Sequence, residues 1–75
     1  MPILSLSNIK KGKAIINAVR GDSKLNAQLI GMGIFKGVEI NVIRNDGKGP
    51  VTIKVGNTSI ALGRQLIDKI YVKVT

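Results

Sequence analysis

Leu29-Ile30-Gly31-Met32-Gly33-Ile34-Phe35-Lys36-Gly37 is the stretch that decides how the rest of the chain is read. Upstream, Leu25, Leu29 and Met32 recur at i, i+4 and i+7, which lays an apolar stripe along one face of a helix. Asp22 or Ser23 stands where an N-cap belongs, and Ala27 and Gln28 suit a helix interior. Downstream, the period changes to two: Val38, Ile40 and Val42 share one face while Glu39 and Asn41 take the other. Gly31 and Gly33 supply the unhindered backbone that ends a helix, with Ile34 placed for the apolar contact that accompanies such a cap. The segment is therefore a junction at which a helix stops and a strand begins.

Reading outward, Leu4 to Gly12 is a lead-in that packs Leu4, Leu6 and Ile9 before the turn Lys10-Lys11-Gly12. Lys13 to Val19 reads as a first strand, apolar on both faces, so periodicity leaves its inward phase open. After strand two, Asn45-Asp46-Gly47-Lys48-Gly49 is a glycine-rich turn, and Pro50 opens a run with Val51, Ile53 and Val55 inward. Gly56-Asn57 separates that run from Thr58 to Leu62 by a hairpin-sized gap, with Ile60 and Leu62 as the buried pair. Gly63 to Lys69 has room for one helical turn before Ile70, Val72 and Val74 form the last strand. The expectation is one mainly β domain over residues 1–75, without repeat or linker. Its architecture is a small SH3-like five-stranded antiparallel barrel, with a short helix between strands one and two and a helical turn before the last strand.

Composition narrows the chemistry. The 75 residues include no Cys and no His, so disulfides, Ser-His and Cys-His nucleophiles and the commonest transition-metal ligands are all unavailable. The four acids Asp22, Glu39, Asp46 and Asp68 show neither EF-hand spacing nor a paired-carboxylate arrangement. No catalytic, cofactor-binding or metal-binding residue is expected. The chain has no signal-peptide pattern, and no apolar run approaches the ~18 residues that cross a bilayer, so the sequence reads as cytoplasmic. A formal charge of +8 favours anionic partners, whether nucleic acid, acidic protein or lipid headgroups.

Two features admit a binding reading. The glycines could cradle a phosphate, but the helix runs into them rather than out of them, so the dipole presents its negative end and repels anions. Lys10, Lys11 and Lys13, with the other basic residues, could contact nucleic acid. The nine Lys against three Arg and the near absence of stacking aromatics favour a solvated basic surface instead. The best local hint of an interface is Met32, Gly33, Ile34, Phe35 and Lys36. Three large apolar side chains crowd a glycine-bounded bend there, and Phe35 is the single Phe.

Taken together, Leu29 to Gly37, the alternation Val38 to Val42, Ile60-Ala61-Leu62-Gly63-Arg64 and Ile70-Tyr71-Val72 resemble the FeoA family of ferrous iron transport proteins over nearly the whole chain. Leu29, Met32, Gly33, Ile34 and Gly37 occupy that family's helix-exit positions; Gln28 and Lys36 depart from the Arg and Pro that many members carry. The resemblance implies an SH3-like barrel that acts with the membrane ferrous iron permease and GTPase FeoB on its cytoplasmic side. The function expected is a non-enzymatic accessory protein that docks on the transporter and modulates it, peripheral to the membrane only through that partner. The alternative is a small basic barrel that binds nucleic acid.

Overall fold

In a computed structural model describing residues 2–74, the chain forms six strands and two short helices. Met1 and Thr75, the outermost residues of the expected 1–75 domain, lie outside the described residues. The elements run β1 (Ile3–Ser5), a 3-10 turn (Leu6–Asn8), β2 (Gly12–Val19), α1 (Ser23–Gly31), β3 (Glu39–Arg44), β4 (Val51–Val55), β5 (Thr58–Leu62), α2 (Arg64–Ile67) and β6 (Ile70–Val74). All strand pairs are antiparallel, in the order β1-β6-β2-β3-β4-β5.

Two expectations are corrected. The lead-in contains a strand: Ile3, Leu4 and Ser5 pair with Lys73, Val72 and Tyr71. Three residues are too few for an alternation to stand out, and their partners lie at the far end of the chain. The barrel is also not closed. β6, expected to complete it, is hydrogen-bonded to β2 on one side and to β1 on the other, so it has no edge left for β5. The result is an open six-stranded sheet with β1 and β5 as its edges.

Of the remaining elements, β3 runs Glu39–Arg44 rather than Val38 to Val42, because Val38 belongs to the turn that precedes it. Ile60, expected to be buried with Leu62, is half-buried because β5 is an edge strand. Asp22 caps α1, its Oδ1 accepting from the Leu25 backbone N–H at 2.8 Å. Leu29 is fully buried, with Leu25 and Met32 packed against the core beside it. The open question of β2 resolves to Ala14 and Ile16 inward, with an irregularity after Ile16 in its pairing to β6. Ile40, Val42, Val51, Ile53, Leu62, Ile70 and Val72 complete the inner face of the sheet, while Leu6 and Ile67 close it from the 3-10 turn and α2. The core is thus aliphatic. The only Phe lies outside it, and the half-buried Tyr71 carries the Arg20 guanidinium 5.3 Å from its ring centroid.

The sequence did not single out Asn45, the one buried polar residue of the described chain. Its Nδ2 donates to the carbonyls of Ser7 (3.0 Å) and Ile9 (2.9 Å), and its Oδ1 accepts from the Gly47 N–H (3.1 Å) and from Arg64 Nη2 (2.6 Å). One side chain ties the 3-10 turn, the β3–β4 loop and α2 together. Arg64 Nε is buried beside this network without a partner.

Candidate functional site

The bend from α1 to β3 is built from backbone geometry before any side chain matters. The N–H of Ile34 bonds to the carbonyl of Leu29 (2.9 Å) and that of Gly33 to the carbonyl of Ile30 (2.9 Å), the paired bonds of a Schellman cap. Gly33 carries φ +84°, the left-handed conformation this cap requires; Gly31 is the last helical residue and has no positive φ. Leu29 and Ile34, the two residues joined across the cap, are both buried.

A second turn follows at once. The Val38 N–H donates to the Phe35 carbonyl at 3.1 Å, with Gly37 at φ +94° in the third position and Lys36 in the second. Because Lys36 has no positive φ, this is a type II turn. Gly37 also donates to the Ile16 carbonyl (2.8 Å), and Ile16 donates back to the Val38 carbonyl (2.9 Å). Gly37 and Val38 together therefore oppose one residue of β2, a glycine-led bulge that aims the start of β3. The second position of a type II turn favours proline, and the Lys36 N–H makes no backbone hydrogen bond among the described residues. Lys36→Pro is accordingly expected to raise stability by about 0.4–1 kcal/mol, read as a higher denaturation midpoint. A loss of stability would show that the turn is held in another conformation.

This geometry divides the five candidate residues. Ile34 is 1% exposed and belongs to the core, and Met32 and Gly33 are half-buried against it. Phe35, 48% exposed, and Lys36 project outward at the tip. The tip of the bend thus exposes one aromatic ring and one cation on a backbone fixed by two turns. Ile30, on the last turn of α1, is exposed as well.

Among the described residues no three carboxylate, imidazole or thiol side chains gather, and Arg44–Asp46 (2.8 Å) forms the one ion pair. A shallow depression on the outer face of the sheet is lined by Lys13, Glu39, Ile40, Asn41, Lys54 and Gly56. No helix of the described chain is long and apolar enough to cross a membrane.

The FeoA domain family matches residues 4–74, spanning the cap, the bend, the β4–β5 hairpin and α2. The chain is a member of the FeoA family. The FeoA-family fold is shared with a crystallised iron uptake regulatory protein (FeoA), 29% identical, at a TM-score of 0.89 over 96% of this chain and 97% of that one. Iron(II) transport protein A from Clostridium thermocellum is 30% identical at a TM-score of 0.82, over 96% of this chain and 46% of its own. The manganese-activated repressor ScaR in its apo form is 26% identical at a TM-score of 0.86. This FeoA-family chain covers 35% of that repressor. Comparison with curated proteins gave no match. Membership places the chain in a family of small proteins associated with ferrous iron transport.

Proposed function

We propose that this FeoA-family protein is a non-enzymatic accessory module of ferrous iron uptake that docks on an FeoB-type membrane iron transporter and GTPase and modulates it. The observation that supports the reading best is the family match over residues 4–74, together with the near full-length likeness to an iron uptake regulatory protein. A chain without Cys or His is poorly equipped to carry Fe(II), which argues for acting on the transporter rather than handing it metal. Met32, Gly33, Ile34, Phe35 and Lys36 form the proposed docking bend. Within it Phe35 and Lys36 make the contact while the other three hold the shape. The protein would work in the cytoplasm, at the inner membrane face through its partner.

Co-purification with the cognate transporter from native membranes, paired with iron uptake in a deletion strain, tests this reading. Association and reduced uptake are expected; reproducible absence of both would overturn it. Phe35→Ala and Lys36→Glu should each weaken association while leaving the melting temperature within a few degrees of the parent, because both side chains lie outside the core. Should both variants unfold, the bend is structural only.

The +8 charge keeps a nucleic-acid role as the second reading. One of its two aromatic rings, that of Tyr71, already faces Arg20, which leaves Phe35 as the free stacking surface. Binding to duplex DNA with a log–log salt slope of about −0.9 per phosphate contact would favour this reading over transporter docking.

A further inference from the structure

The β5 edge is the feature that neither the bend nor the family likeness uses. Val55 and Thr58 flank the two-residue loop Gly56-Asn57, where Gly56 has φ +59° and Asn57 has no positive φ, a type II′ hairpin. Residues flanking such a loop exchange both hydrogen bonds, so the bonded pairs with β4 are Val55–Thr58, Ile53–Ile60 and Val51–Leu62. The N–H and C=O groups of Ser59 and Ala61 consequently face away from β4. Among the described residues they make no backbone hydrogen bond to another element, and both side chains are exposed. Thr-Ser-Ile-Ala-Leu contains no charge and no proline, and its register with β4 runs uninterrupted. Natural sheets shield edges with such devices, or by making the edge short, as β1 is at three residues.

Two further observations say what fits there. Ile60 points toward the core but is only half-buried, so a strand laid beside β5 would complete its cover with an apolar side chain. On the opposite, outer face, Ser59 lies across from Lys54, Lys54 across from Asn41, and Asn41 across from Lys13, a row leading from the edge into two cations. Among the described residues neither lysine is in an ion pair, and Glu39 is the one carboxylate lining the depression between them. A residue added opposite Ser59 would stand about 10 Å from Lys54, two strand spacings away, within joint reach of a lysine and a glutamate side chain.

We propose that the β5 edge accepts an extended acidic polypeptide segment by strand addition, with apolar residues alternating inward over Ile60 and carboxylates alternating outward toward Lys54. Backbone bonds to Ser59 and Ala61 give affinity, and Lys54 gives selectivity for acid. A second copy of this chain is a poorer occupant, because joining two β5 edges brings two +8 domains together. The inference concerns residues outside the proposed docking bend and stands or falls separately from it.

The test titrates the intact protein with a short synthetic peptide alternating valine and glutamate, followed by backbone amide NMR. The largest shifts and the strongest slowing of hydrogen exchange are expected at Ser59 and Ala61, with affinity falling as salt rises. Ala61→Pro removes one edge donor where an edge strand tolerates proline, and should weaken binding by about two- to tenfold, the contribution of a ladder bond. Lys54→Glu, which leaves the backbone intact, should weaken it too. Equal binding of a valine–lysine peptide, shifts confined to other residues, or Lys54→Glu and Ala61→Pro both binding like the parent would overturn the proposal. So would a concentration-dependent dimer abolished by Ala61→Pro, which would give the edge to a second copy.

Discussion

Asn45→Ala is expected to destabilise the domain by about 3 kcal/mol, a fall in melting temperature of roughly 12–24 °C for a protein of this size. Alanine removes four hydrogen bonds at once: two donated to the Ser7 and Ile9 carbonyls and two accepted from Gly47 and Arg64. Net loss per bond is modest where water can replace the partner, but Asn45 is only 8% exposed, and its contact with the Ile9 carbonyl is buried. The Arg64 head would then have lost its Asn45 acceptor while its Nε already lacks a partner. Arg64→Met should cost less than Asn45→Ala, because it removes that unpartnered donor together with the bond and keeps an aliphatic stem in place. Thermal unfolding followed by circular dichroism checks both. A cost below about 1 kcal/mol for Asn45→Ala, or the reverse order of the two variants, would show that the network contributes little.

The second large effect separates two glycines that look equivalent in sequence. Gly33→Val forces a β-branched side chain into φ +84°, at a cost of about 2–3 kcal/mol. An added Cβ at Gly33 would meet the Val55 Cγ1 at 3.6 Å, an ordinary contact, so the penalty is in the backbone rather than in crowding. Gly31→Ala should do the opposite. Gly31 ends α1 without a positive φ, and an added Cβ meets nothing within 4 Å, so alanine should stabilise by about 0.5–1 kcal/mol through helix propensity. Denaturant midpoints of the two variants should therefore move in opposite directions, and movement in the same direction would contradict the cap described here.

What the sequence made legible was local. The helix cap at Asp22 or Ser23, the stop at Gly31 and Gly33 and the Gly56-Asn57 hairpin each depend on a few neighbouring residues, and the structure settles the first two on Asp22 and Gly33. Three features escaped because their causes are distant in the chain. Three residues at Ile3–Ser5 become a strand only because Lys73, Val72 and Tyr71 are available to pair with them. The sheet stays open for the same reason, since β1 occupies the edge of β6 that closure would have needed. Asn45 read as one turn residue among several, whereas its partners Ser7 and Ile9 lie more than thirty positions away. Of the candidate bend, the sequence located the junction and its single Phe; the exposure of Phe35 and the burial of Ile34 followed from the cap and turn bonds, which exist only in three dimensions.

The pairing of β1 with β6 also bears on how the protein is made. Residues 3–5 are synthesised well before their partners, residues 71–73. During translation the opening segment must wait, unpaired, while β2 to β5 and their local turns assemble behind it. The sheet can therefore be completed only once β6 is available to settle between β2 and β1. Completion of this fold thus waits on β6 rather than on the helix and hairpins that precede it.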